Sequence, residues 1–418
     1  MDNEKLIYVL LTVAIFNAIL RPSLDSPITL FRLLIPFCIF VVYKIDSYVF
    51  SSLMKCSLVF IAIAFLQYIY AESLVYPYVS LFSFLHLVDF LIHYISIFIV
   101  VSLVYCLWFL NPCDFVDNMI NYLSKIVKVC LLIYVPYIII GGDPFSFCLF
   151  DNINNFGCVL AGGAFLVLVD NQTYKYWKWL YILIILIALY INDSKLALFG
   201  VVFGIMLFLL HTFSSVLIRY KKILLYTLGG CVAYVFLLFF SSDVEINGYS
   251  VQDLVSIPIQ YIVNGDFFES SDTSITYRAN CIIGLFKIIF DSLGLGIGPG
   301  SSGLVLQDML PNLDEKYGEG YISSHIWWLE IMADLGWIAI IFMIKLYVNQ
   351  IRHFLSFMGS RFQLFSQIVF ISFPLWSMSA SGLYTEYFSI ILMTLSYIIY
   401  SNSVEQSDYC DYDLSLPV

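Results

Sequence analysis

The sequence predicts an all-α polytopic membrane protein, with about 12 transmembrane helices and one large outer loop. Three observations carry that prediction. The 418 residues are 61% hydrophobic and only 12% charged, with a mean hydropathy of +0.90, whereas soluble chains are typically about one-quarter charged. Apolar runs recur along the chain at lengths near the roughly 20 residues that cross a bilayer as a helix. Lys and Arg concentrate in alternate connections, the asymmetry that orients helical membrane proteins. A transmembrane β-barrel would instead alternate in segments of roughly ten residues.

Taken in order, the first apolar run, near 6–20, follows only MDNEK with no small-residue cleavage site after it, and is expected to remain as an anchor. Spans are expected next near 28–43 and 53–70. The stretch 71–93 is apolar but interrupted by Glu72, Pro77, His86 and Asp89, as an interfacial or re-entrant piece would be. Further spans are expected near 94–110, 120–140, 153–169, 177–191, 196–212 and 223–240. After the loop 241–325 come 326–346, 361–378 and 383–400, then an acidic tail over 401–418. With the N-terminus inside, Lys44, Lys55, Lys125, Lys128, Lys175, Lys178, Arg219, Lys221, Lys222, Lys345, Arg352 and Arg361 also fall inside. The outer side keeps Arg21, Arg32, Lys195, Arg278, Lys287 and Lys316. Both termini are therefore expected in the cytoplasm and the loop 241–325 outside. The other connections are short and no fixed repeat is present, so a single integral domain, 1–418, is expected.

The net charge is −11, with acids gathered in the loop and in 405-EQSDYCDYDLSLPV-418. No basic patch exists to meet phosphates of a nucleic acid, so no such partner is expected. The ten cysteines are scattered, most of them in apolar runs, without CxxC or other metal-ligand spacing. No disulfide framework and no metal is expected.

The outward basic residues need a reason. Lys195 lies in 192-NDSKLALFG-200, at the outer start of a span. Asn192, Asp193 and Ser194 suit helix caps. Lys195 then either snorkels to the interface or meets a lipid phosphate. Arg278 opens an apolar run through residue 291, punctuated by Lys287 and Asp291, that suits a helix lying along the interface. Arg278 either pairs with a nearby acid or offers its planar fork to a phosphate. In 294-GLGIGPGSSG-303 the glycines, including Gly296 and Gly298, permit a tight turn whose exposed N–H groups could bind an anion. A plain turn into an exposed loop is the other reading. The segment lacks the Lys-Ser/Thr ending of a nucleotide loop. His325 opens the tenth span, as a cap or as a group that takes a proton from a hydroxyl. Glu330 and Asp334 follow one turn apart on one helix face. Tyr317, Tyr321, Trp327 and Trp328 lie nearby, suited to an interfacial belt or to a sugar ring.

Three segments together resemble the O-antigen polymerase and O-antigen ligase superfamily of bacterial inner-membrane glycosyltransferases: 192-NDSKLALFGVV-202, Arg278 with the glycine turn 294–300, and 323-SSHIWWLEIMADLGWIAI-340. Lys195 stands where arginine is common, Ile326 where asparagine usually follows the histidine, and Ala339 near the place of a second small glycine. The resemblance implies a helical bundle of the GT-C-like, lipid-linked glycosyltransferase type, with the large loop in the periplasm. It implies oligosaccharide units on undecaprenyl pyrophosphate as substrate, no cofactor, metal or nucleotide sugar, and a chain-length regulator and flippase in the same membrane. Catalytic roles would fall to His325 and Arg278, and substrate contacts to Lys195, Gly296, Gly298, Glu330 and Trp328. The polymerase is expected, with the ligase of the same superfamily as its nearest rival. A flippase or other transporter fits the span count, but related halves with broken helices are not evident.

Overall fold

The computed structural model describes residues 3–17, 19–20, 29–79, 84–144, 147, 153–192, 194–212, 245–246, 249–250, 274–310, 326–356, 360–377 and 387–413. In chain order the helices are α1 (Asn3–Ile15), α2 (Leu30–Leu33), α3 (Ile35–Ile45), α4 (Ser47–Tyr70), α5 (Phe84–Leu110) and α6 (Phe115–Ile139). Then come α7 (Ile153–Val169), α8 (Lys175–Ile191), α9 (Lys195–Thr212), α10 (Ser274–Asp291) and α11 (Ser301–Met309). The last four are α12 (Trp327–Leu335), α13 (Trp337–Ser356), α14 (Arg361–Trp376) and α15 (Tyr387–Asp413). The described strands are two-residue pieces, β1 (Glu245–Ile246) and β2 (Tyr249–Ser250), paired antiparallel.

Among the described residues, three helices are long and apolar enough to cross a membrane: Ser47–Val75, Phe90–Leu110 and Phe115–Ile139. Shorter apolar helices cover Ile35–Ile45, Asn154–Val169, Leu196–Leu209 and Tyr387–Ser401. The expected span 223–240 lies outside the described residues. Two expected spans are divided. The stretch 28–43 breaks into α2 and α3 because Pro36, in the first turn of α3, lacks the N–H that would continue the preceding helix. The stretch 326–346 breaks at Gly336, whose φ is 71°. A side chain there would lie 2.4 Å from the carbonyl oxygen of Gly294, so backbone crosses where a continuous helix would run. The ambiguous stretch 71–93 resolves at both ends: α4 runs on through a π-helical turn, Ala71–Val75, and α5 begins at Phe84. In place of a plain tail, α15 continues to Asp413.

The chain forms two compact units. The first comprises Met1–Ala62, Phe84–Phe208 and Met343–Val418. Helix α7 is its hub and packs against α6, α8, α14 and α15. From Asn155 to Val169 it is almost wholly buried, as expected of a helix apolar on every face. Small residues let its neighbours approach: a Cβ on Gly162 would lie 2.7 Å from the Leu392 side chain, and one on Gly204 2.4 Å from the Phe165 ring. Helix α14 begins with a capping box, in which the Gln363 N–H donates to the Ser360 hydroxyl and the Ser360 N–H to Gln363 Oε1.

The turn after α7 buries an ion pair. Asp170 is 1% exposed and accepts from Lys128 Nζ at 2.8 Å, from the Thr173 hydroxyl at 2.6 Å and from the Ser124 hydroxyl at 2.9 Å. The Gln172 N–H completes the set at 2.9 Å. Burial alone would raise the Asp170 carboxyl, but the Lys128 ammonium and the other donors outweigh it and hold it at about 2.

The second unit comprises Ile63–Ser83 and Leu209–Phe342. Here α10, α11 and α12 pack on one another. Cys281, Leu285, Ile288 and Ile289 of α10 face Val305 and Leu306 of α11, and Leu329 and Ala333 of α12, with Ala71 and Tyr76 closing the cluster. The opposite side of α10 leaves Lys287 and Phe290 exposed, the two-faced character the sequence suggests.

Candidate functional site

The glycine turn between α10 and α11 is tied to α12 by backbone hydrogen bonds. Gly294, Gly296, Gly298 and Gly300 all have positive φ, between 70° and 98°. Gly296 also needs its missing side chain for space, because a Cβ there would lie 2.4 Å from the Asp334 carbonyl oxygen. The turn wraps the end of α12. The Ile297 N–H donates to Ala333 O at 3.1 Å, the Gly298 N–H to Asp334 O at 3.0 Å, and the Trp337 N–H to Gly294 O at 2.8 Å.

The turn does hold a carboxyl group, and that group belongs to the protein. The Asp334 carboxylate, 0% exposed, accepts the Gly300 N–H at 2.7 Å and the Ser302 N–H at 3.0 Å. It thereby caps α11, whose first turn would otherwise leave those donors unmet. From α4, Gln67 Nε2 donates to Leu295 O at 2.8 Å, and the Tyr68 hydroxyl donates to Pro299 O. The Tyr70 hydroxyl reaches Ser292 O at 3.2 Å. The sequence drew attention to Asp334 as an acid sharing a face with Glu330, but not to its capping role. Only the Gly-Ser-Ser run at 300–302 hints that a helix begins there. Gln67 and Tyr68 carry no local signal, because their partners lie more than 200 residues away.

Glu330 lies one turn before Asp334 and is 2% exposed, on the buried side of α12. Trp328 is half-buried and packs against the cluster formed by α10, α11 and α12. Arg278 belongs to α10. His325 lies outside the described residues, immediately before Ile326. The second unit thus unites the helix of Arg278, the turn of Gly296 and Gly298, and the helix of Trp328 and Glu330.

Lys195 is in the first unit, as the opening residue of α9. Of the residues expected to suit helix caps, Asn192 and Ser194 serve two different helices, and Asp193 lies outside the described residues. Asn192 ends α8, its N–H donating to Ala188 O at 2.9 Å, and its Oδ1 accepts from the Tyr134 hydroxyl. Ser194 starts α9, its carbonyl accepting the Leu198 N–H at 2.9 Å. Gly157 of α7 makes room for it, since a Cβ there would lie 2.7 Å from Ser194 Oγ. Lys195 therefore leaves a junction clamped by α6 and α7.

A protein-family model described as O-antigen ligase matches residues 180–344. The match supports the O-antigen ligase and polymerase superfamily, and with it a glycosyltransferase-like enzyme in a membrane. No curated protein and no solved structure matches the chain.

Proposed function

We propose that the protein is a polymerase of this superfamily. It joins oligosaccharide repeat units carried on undecaprenyl pyrophosphate, at the periplasmic face of the bacterial inner membrane. The growing glycan passes to a new lipid-linked unit and undecaprenyl pyrophosphate is released. One observation carries the reading: the matched stretch, 180–344, contains Lys195, Arg278, the glycine turn, His325, Trp328 and Glu330 together. In this reading the chain spans the membrane about 12 times, with both termini cytoplasmic and the loop 241–325 outside.

His325 accepts the proton of the attacking sugar hydroxyl, with Glu330 as its first candidate partner. The hydroxyl oxygen bonds to the anomeric carbon as the bond to the diphosphate breaks, and the electron pair leaves on the diphosphate. Direct displacement inverts that carbon and needs no metal. Arg278, with Lys195 as a second cation, meets the charge that grows on the leaving diphosphate, where preorganised cations act most strongly. Gly296 and Gly298 contribute the shape of the turn, and Trp328 offers a ring face to a sugar.

Arg278→Ala and His325→Ala are each expected to lower polymer formation about a hundredfold or more, read as loss of the glycan ladder at unchanged membrane level. A normal ladder with either variant rejects the assignment. Lys195→Arg should retain activity if charge alone is needed there. The description of the matching family favours a second reading, the ligase. A strain lacking the gene separates the two: single-repeat product identifies a polymerase, and unligated polymer on its carrier identifies a ligase.

A further inference from the structure

One end of the first unit gathers more positive charge than its acids can use. Lys128 is engaged with Asp170, whose oxygens are also filled by Thr173, Ser124 and the Gln172 N–H. Beside it, Lys178 Nζ donates to the Leu168 carbonyl at 3.1 Å, and the positive fields of Arg361 and Lys128 bear on it against the negative field of Asp170. Arg361 donates to Asn171 Oδ1 and stays 3.9 Å from Asp117, loosely paired and 37% exposed. Asn171 Nδ2 donates to Asp117 at 3.1 Å. Lys175 is exposed, one turn before Lys178 on the same face of α8. Among the described residues, Lys128 pairs with Asp170 and Arg361 lies near Asp117, so these two acids stand beside the four cations Lys128, Lys175, Lys178 and Arg361 in a chain whose net charge is −11.

The setting of that charge indicates what relieves it. Tyr174, Tyr176, Trp177 and Trp179 surround Lys175 and Lys178 in sequence and are exposed, Tyr176 to 88%. Tyr and Trp of this kind sit at the headgroup level of a bilayer, one end in the acyl region and the other in water. An anion reaching Lys178 and Arg361 beside such rings is one carried on a lipid.

We propose that Lys175, Lys178 and Arg361, framed by Asn171 and the aromatic start of α8, bind the phosphate headgroup of an anionic membrane lipid. In the orientation proposed above, this face is cytoplasmic. Arg361, with one arm held by Asn171, offers its remaining donors to the phosphate oxygens and the lysines add point charges, while Asp170 is already engaged by Lys128 and three further donors.

The test uses the full-length protein in nanodiscs of phosphatidylcholine, with and without phosphatidylglycerol. Native mass spectrometry counts retained lipids and thermal melting reads stabilisation. The wild type should retain phosphatidylglycerol preferentially and melt higher in its presence. Each cation removed should weaken the preference about fivefold, so Lys175→Gln/Lys178→Gln/Arg361→Gln should lose it by more than tenfold. Should the triple variant fold poorly, Lys175→Gln/Lys178→Gln, which spares Arg361 and its bond to Asn171, should still show a clear reduction. Equal retention of both lipids by the wild type, or unchanged preference in the variants, overturns the proposal. Equal stabilisation by inorganic phosphate in phosphatidylcholine discs also overturns it, by identifying a soluble anion instead.

Discussion

Asp170 and Asp334 are both buried carboxylates near helix ends, one in each compact unit, and they are satisfied in opposite ways. Asp170 is held by side chains, led by the Lys128 ammonium at 2.8 Å. Asp334 is met by the backbone amides of Gly300 and Ser302, at 2.7 and 3.0 Å, in a turn of positive-φ glycines. The first arrangement is a matter of charge and can be rebuilt by changing side chains. The second is set mainly by chain geometry, through the amides of Gly300 and Ser302. A buried acid in a membrane protein therefore marks charge chemistry in one place and architecture in the other, although the residue type is the same.

The largest effect should come from the geometry. Gly296→Val adds a Cβ against the Asp334 carbonyl at a φ of 81°. Overpacking and left-handed strain together should cost about 3–5 kcal/mol, seen as collapse of the detergent melting transition and loss of the glycan ladder. A variant that melts like the wild type would show that the turn is not rigid.

Next come the acids themselves. Asp334→Ala leaves two buried N–H donors unmet and should cost about 3 kcal/mol. Asp170→Asn should cost a similar amount, about 3 kcal/mol, because Lys128 is left without its counter-charge. The contrast appears in the rescue: Lys128→Met combined with Asp170→Asn should recover most of the loss. A double variant no more stable than Asp170→Asn would erase the distinction between the two acids.

The smallest effect is that of pH. The Asp170 carboxyl is held at about 2 in the folded protein, below the ordinary value of about 3.9. A depressed carboxyl contributes stability that is fully present above the unfolded value and is lost as pH falls through the folded one. Melting temperature should therefore be insensitive to this group from pH 7 to about 4 and fall between about 4 and 2. Lys128→Met should flatten that acid limb.

What the sequence disclosed, and what it hid, follows the range of the interactions involved. Helices such as α6, α7, α8 and α14 lie close to their expected spans because each rests on its own apolar run, with a capping box added at α14. Lys195 was expected at the start of a span and is the first residue of α9. The break at Gly336 was hidden because apolar residues continue across it, and its cause is the backbone of Gly294 and Leu295 in a different segment. Helix α11 was hidden inside a loop because its cap, Asp334, comes from another helix. Of the site, the residue types and their order were legible, while the way Asp334 fills the turn was not, since no spacing rule links residue 334 to residue 300.

The bonds from α4 to the glycine turn also impose a timetable on biogenesis. Tyr68 and its acceptor, the Pro299 carbonyl, are 231 residues apart, and Gln67 and the Leu295 carbonyl 228. At about 5–20 residues per second, a ribosome needs on the order of ten to fifty seconds to make the intervening chain. Through that interval the end of α4 exists without the partners that hold it in the finished molecule. The insertion machinery must therefore accept an apolar helix whose polar side chains await a turn that has not been synthesised, and the second unit can close only after that turn has been made.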